Sequence, residues 1–184
     1  MRIRVHDNPH PAGLTQIKRD SPGTDSLDAG PLAAAGVEHV MSAPRSITPS
    51  GDDYFEHDAD IGVVGRGATL EEAFESAATA TFAVMADLSA VRPERSVTLD
   101  FEEADVEIAL VRWLNLLLGL SHEHGLVFSR FWIERDGVNW RGGASGEPWR
   151  RDIERGVEVK GATLTMLEVK QGRAGWQARC VVDV

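Results

Sequence analysis

Glu56-His57-Asp58-Ala59-Asp60 crowds three carboxylates and an imidazole into five consecutive positions. Carboxylates so close repel one another unless a cation or a basic group neutralises them. Their oxygens suit hard ions such as calcium, magnesium or manganese. The same segment also reads as a solvated acidic loop. The chain end offers more oxygen: Asp183 is penultimate and Val184 last, at the tip of a long apolar strand. An ordered tip would hold the Asp183 side chain and the Val184 carboxylate in one fixed place. Spacing alone leaves open whether that place adjoins Asp60.

Three other patterns invite chemistry and support less of it. Gly62-x-x-Gly65-x-Gly67 stands between a strand and a helix, but has neither the dinucleotide spacing nor a Gly-Lys-Ser/Thr ending. It is expected to be a turn with glycines at positive φ. His122 and His124 are two apart, so a helix points them to different faces and they make a poor zinc pair. A helix C-terminus, where imidazolium suits the dipole, is the expected place for them. Cys180 is in phase with Trp176, Ala178 and Val182, which predicts a core thiol.

The elements that must position these residues follow from periodicity. Tyr54–His57 and Ile61–Arg66 read as short strands. Thr69-Leu-Glu-Glu72 fits a capping box, and Leu70, Ala73, Phe74, Ala77, Thr81, Val84, Met85 and Leu88 follow at helical spacing. Ser96–Phe101 alternates like a half-buried strand. A second helix, apolar nearly all round, is predicted from about Ala104-Asp105 to Leu120. Leu126–Glu134 reads as a strand, and Asp136-Gly137 as the hairpin turn into Val138–Arg141. A loop is expected around Glu147-Pro148, then long strands over Val157–Lys170 and Trp176–Val184. Successive strands at the end favour antiparallel pairing. The expectation is one α+β domain over residues 52–184, two helices packed on a largely antiparallel or mixed sheet.

The 184 residues are 42% hydrophobic, which excludes wholesale disorder. Residues 1–51 differ: six of the eight prolines lie before Gly51 and all twelve aromatic residues lie at or after Tyr54. Such a stretch cannot bury enough surface to offset its chain entropy, so a disordered N-terminal extension is expected there. The formal net charge of -10 argues against a protein that coats nucleic acid. Residues 51–115 hold 15 acidic and 4 basic side chains, whereas 116–184 hold 9 and 10, an asymmetry compatible with a cation site or a basic partner. One cysteine permits no internal disulfide, no apolar run would span a bilayer, and the first residues lack a signal-peptide core. The chain reads as a soluble, acidic, cytoplasmic protein.

Tyr54-Phe-Glu-His-Asp-Ala-Asp-Ile-Gly62 resembles the opening motif of the archease family. So do Thr69-Leu-Glu-Glu-Ala-Phe74, Trp113-Leu-Asn-Leu-Leu117, Gly125-Leu-Val-Phe128, Gly146-Glu-Pro148, Val157-Glu-Val-Lys160 and Val181-Val-Asp-Val184. They occur in the family's order across roughly residues 53–184. The resemblance implies an accessory factor, not itself an enzyme, for the RNA ligase of tRNA splicing and RNA repair. That ligase joins a 3′-phosphate or cyclic phosphate end to a 5′-hydroxyl with GTP and manganese. The family member promotes guanylylation of the ligase histidine and so multiple turnover. The resemblance further implies a divalent metal, calcium or manganese/magnesium, held by Asp60, Asp183 and Val184. Lys160 is where a cation could contact a phosphate of GTP, and Glu56 and His57 are further candidate contacts to nucleotide or ligase. A direct RNA contact is expected to be secondary to the protein partner.

Two departures stand out. After Lys160 the family tends to run Ala-Val-Thr-Tyr-His, where this chain has Gly161-Ala-Thr-Leu-Thr165; a histidine usual before the Glu-Val-Lys motif is replaced in the region of Arg155 and Gly156. Two competing readings remain at this level. One is a free-standing metal-dependent phosphohydrolase or nuclease, with His57 or the His122/His124 pair as its only candidate base. The other is a chaperone-like modulator of an RNA-modifying enzyme, indifferent to Asp183 and to metal.

Overall fold

Thr69 and Glu72 close a reciprocal capping box: the Glu72 amide donates to Thr69 Oγ1 (3.1 Å) and the Ala68 amide to Glu72 Oε2 (2.8 Å). Helix α1 (Leu70–Met85) follows. The computed structural model describes residues 2–7, 51–57 and 60–184, with the side chains of His6, Asp7, Asp52, Glu56 and His57 outside that description. Helix α2 (Val106–His124) starts on Asp105, whose carboxylate accepts from the amides of Glu107 and Ile108. It ends on Gly125 at φ 62°, a left-handed position that glycine fills without strain. His122 and His124 occupy its last turn, as the sequence predicts.

Two antiparallel sheets flank the helices. One has the order β1 (Arg2–Asp7), β4 (Arg95–Glu102), β6 (Asn139–Pro148), β5 (Leu126–Asp136). The other runs β2 (Tyr54–His57), β3 (Asp60–Gly67), β9 (Gly175–Asp183), β7 (Gly161–Ala162), with β8 (Glu168–Gly172) also paired to β9. The fold is therefore the α+β arrangement expected, and no helix among the described residues is long and apolar enough to cross a membrane. Helix α1 serves both sheets. Its Phe74 stacks on Trp140 of β6 at 5.2 Å, and its Phe82 meets Phe128 and Phe131 of β5. Toward the second sheet, opposite Gly65, it turns the small residues Ala73 and Ala77. Gly65 faces them so closely that a Cβ there would stand 2.8 Å from Ala77 Cα. Gly62, Gly65 and Gly67 thus lie within a strand, and not in the positive-φ turn expected of them. Cys180 is fully buried, and burial pushes its thiol up to about 12, where it has no thiolate chemistry.

Three other expectations need correction. Residues 2–7, placed in the disordered extension, form β1: Arg2-Ile3-Arg4-Val5 alternates and extends the open edge of β4, with Val5 opposite Val97. The rest of the extension, residues 8–50, lies outside the described residues. The loop expected at Glu147-Pro148 is instead the end of β6. Its Gly142 and Gly143 make room for aromatic rings, Trp113 against Gly142 and Trp132 against Gly143. The long strand expected over Val157–Lys170 is a strap followed by two short strands, β7 and β8. Backbone amides of Gly156 and Val157 donate to Met85 and Val84 carbonyls at the end of α1, so they are unavailable to a sheet.

Glu147 anchors the start of that strap. Its carboxylate is buried and accepts from the Arg92 amide (2.7 Å), Arg92 Nη2 (2.8 Å) and Arg150 Nε (2.7 Å). Arg150 also pairs with Asp152 and donates to the Ala90 carbonyl. Burial alone would push the Glu147 carboxyl up; the hydrogen bonds from Arg150 and Arg92 outweigh it and hold the group at about 2.

Two outcomes follow for stability. Gly65→Ala is expected to cost about 3 kcal/mol or more through overpacking on α1, whereas Gly119→Ala, with nothing within 4 Å, should gain about 0.5–1 kcal/mol from helix propensity; urea denaturation of both checks this. The folded-state pKa of Glu147 lies below its unfolded value near 4.5. Its contribution is therefore fully present above pH 4.5 and is lost as pH falls toward 2, about 3 kcal/mol in all. A pH series of denaturation curves should show that acid limb in the parent and a much flatter one in Glu147→Gln.

Candidate metal site at the chain end

Strand pairing brings the predicted oxygen donors to one edge. Ile61 of β3 pairs with Val182 of β9, and continuing that antiparallel register by one residue sets Asp60 opposite Asp183. Directly opposed residues project from the same face of a sheet, with Cβ atoms about 5 Å apart. Asp60 and Asp183 therefore share the face that carries Val64 and Val181, away from α1. His57 pairs with Asp60 across the β2–β3 turn, which places its backbone at the same edge. The side chains of Glu56 and His57, and all of Asp58 and Ala59, lie outside the described residues.

The other flank of Asp183 is fixed by the strap. The Lys160 amide donates to the Asp183 carbonyl (2.8 Å), and Lys160 Nζ donates to the Val184 main-chain oxygen (2.9 Å). Gly161 then pairs with Asp183 in β7. The tip of β9 is thus held by β3 on one side and by β7 and Lys160 on the other. Register sets Asp60 opposite Asp183, and Lys160 is bonded to Asp183 and Val184, whereas His122 Nε2 has its contact with Glu158 on the strap, at 3.9 Å.

The donor set is all oxygen, which fits a hard divalent cation and not a thiophilic one. Among the described residues no three His, Cys, Asp or Glu side chains cluster to hold a metal. The set of Asp60 and Asp183 therefore needs a main-chain carboxylate, waters or an external ligand to complete a coordination sphere. Lys160 places one positive charge at the Val184 main-chain oxygen, where it could also meet a phosphate oxygen.

Two positioning residues escape a reading by motif chemistry. Asn115 of α2 grips β7 like a missing strand: its Nδ2 donates to the Ala162 carbonyl (3.0 Å) and its Oδ1 accepts from the Ala162 amide (2.8 Å). Glu107, two turns earlier, accepts from the Val169 amide of β8 (3.1 Å). The signal for Asn115 was a polar side chain in the midst of Trp113-Leu114-Asn115-Leu116-Leu117. Tyr54 supplies a third tie, donating to the Ala80 carbonyl, and burial raises its pKa.

Known proteins are similar to this chain over most of its length. The model of the Archease protein family matches residues 53–184. Protein archease of Sulfolobus acidocaldarius is 36% identical over 135 residues, covering 72% of this chain and 97% of that protein. Protein archease of Thermococcus gammatolerans is 38% identical over 138 residues, with the same two coverages. The solution structure of Methanobacterium thermoautotrophicum protein 1598 is similar with a TM-score of 0.66 at 33% identity, again over 72% of this chain and 97% of that one. The family model and the sequence relatives agree in extent, the solved structure agrees in fold, and the chain belongs to the archease protein family.

Proposed function

We propose that this chain is a metal-binding accessory protein that activates an RNA ligase of the type joining 3′-phosphate and 5′-hydroxyl ends. The observation that supports the reading best is the opposition of Asp60 and Asp183 across β3 and β9, beside a chain end tied down by Lys160. Asp60, Asp183 and the Val184 carboxylate would hold a calcium, magnesium or manganese ion. The ion would supply positive charge to phosphate oxygens of GTP while GMP passes to the ligase histidine and pyrophosphate leaves. Lys160 keeps the Val184 oxygen in place and presents its remaining ammonium hydrogens to the same region. Asn115 fixes β7 and, through the Gly161–Asp183 pair, the orientation of Asp183.

The test is multiple-turnover RNA ligation by the cognate ligase with GTP and manganese, and with this protein absent, wild type or substituted. Wild type accelerates turnover, Asp60→Ala does not, and both melt at similar temperatures. Asn115→Ala reduces the acceleration by about tenfold, the usual scale for a residue that orients a metal ligand. Calorimetric titration with manganese gives the matching loss of affinity. Full acceleration by a folded Asp60→Ala protein would remove the metal site from the account; phosphoester turnover by the protein alone would replace the accessory role with a hydrolase.

A further inference from the structure

The four-stranded sheet has an outer face, turned away from α1, that the candidate metal site does not use. Val97, Leu99 and Phe101 of β4 and Trp140 and Ala144 of β6 point inward and are at most 3% exposed. Their neighbours in sequence must point outward. Side-chain contacts agree with that phase: the Ser96 and Ser145 hydroxyls are 3.1 Å apart, and Arg141 Nε stands 3.9 Å from Asp100.

Register then lays out the rows of this face. One row, Arg2, Asp100, Arg141 and Glu134, alternates in sign, and beyond it Glu102 and Asp136 stand on either side of Asn139. The next row inward is Arg4, Thr98, Gly143, Trp132, and the one after it includes Ser96, Ser145 and Arg130. No carboxylate interrupts these two inner rows, and neither Arg4 nor Arg130 has an ion pair among the described residues. Trp132 is half-buried and lies over Gly143, where a Cβ would stand 2.7 Å from its Nε1 and 3.0 Å from its Cε2. The glycine lets an indole plane rest on the sheet, with one guanidinium two residues along the same strand and another across the row.

We propose that this face binds single-stranded nucleic acid, with one base stacked on Trp132 and adjacent phosphates held by Arg130 and Arg4. An aromatic ring on an open antiparallel sheet, flanked by cations and small polar side chains, has the two features such a strand requires. These are a π-face that any base can stack on and a positive rim that follows the backbone. A protein partner would not need both, and the net charge of -10 makes an acid-free pair of rows a distinct local environment. The outermost row confines the strand to the inner rows, because Glu102 and Asp136 repel phosphates.

The test uses the full-length protein alone in EDTA, so that it is independent of ligase and metal. Fluorescence anisotropy follows labelled twelve-nucleotide oligouridylate and oligothymidylate at low salt. Saturable binding is expected, weakened about tenfold in Trp132→Ala and largely kept in Trp132→Phe. Arg130→Ala should also reduce the log-log salt slope by about 0.7. Tighter binding of the ribo-oligomer would identify RNA as the ligand, and equal binding would leave single strands of either sugar. Trp132→Ala removes the cover of Gly143 and could unfold the sheet, so the Phe and Arg130 variants carry the decision in that case. Absence of saturable binding, or wild-type affinity and slope in folded Trp132→Ala and Arg130→Ala proteins, overturns the proposal.

Discussion

The buried carboxylate of Glu147 is the constraint from which the end of the molecule that carries the candidate site is built. Taking a carboxylate out of water costs several kcal/mol, and here two guanidiniums and a backbone amide offset that cost. The arrangement also dictates a path. Arg92 ties the segment after α1 to the end of β6, and Arg150 turns the chain immediately after β6 back across the same carboxylate. Ile153 then packs with Ala86, Val91 and Val127 in a small second cluster. Gly156 and Val157 close the end of α1, Val159 is fully buried, and Lys160 reaches the tip of β9. The strap has almost no sheet ladder of its own, so its course depends on being held at both ends. Glu147 provides the first hold and Lys160 the second.

A second constraint sets the thickness of the molecule. One helix between two sheets must touch both. The phenylalanines of α1 fill the wider side, and glycines of β3 allow contact on the narrower one. Replacing that glycine contact with any side chain would move β3 away from α1. Because Asp60 begins β3 and Asp183 ends its neighbour β9, such a shift would carry the two carboxylates with it. Packing at Gly65 and geometry at Asp60 are therefore one problem, although they lie at opposite ends of a strand.

Much of this was legible in the sequence, and the exceptions share a physical cause. Elements whose ends are set locally read correctly: the Thr69–Glu72 box, the Asp105 start, and the Asp136-Gly137 turn, where Gly137 takes φ 61°. Positions whose role is to meet something distant did not. Gly142 and Gly143 carry no local sign that Trp113 and Trp132 cover the two of them. Val157 to Lys160 alternates like a strand, but the amides of Gly156 and Val157 at its start are taken by a helix end, and nothing local records that. The opening strand at Arg2–Asp7 finds its partner about ninety residues away. At the site, residue types suggested oxygen ligands, while their juxtaposition became visible only through the β3–β9 register. Asn115 was hidden for the same reason, since its partner is a backbone 47 positions on.

The way α2 treats the second sheet explains how the end of β9 is held in place while its carboxylates stay uncovered by another strand. Edge strands as short as β7 gain little from their own ladder, and an unpaired edge invites wrong partners. Asn115 satisfies both backbone groups of Ala162, and Glu107 takes the Val169 amide, so helix side chains complete what a further strand would otherwise supply. The edge is thereby closed without another strand lying over Asp183. A strand tip held on both flanks loses little further freedom when a ligand binds, and that saving appears directly as affinity. The same closure leaves the carboxylates facing outward, where an ion could meet a phosphate from a partner. Rigidity of the backbone and openness of the ligands, usually in conflict at a chain end, are reconciled here because the helix and not a covering strand supplies the hydrogen bonds.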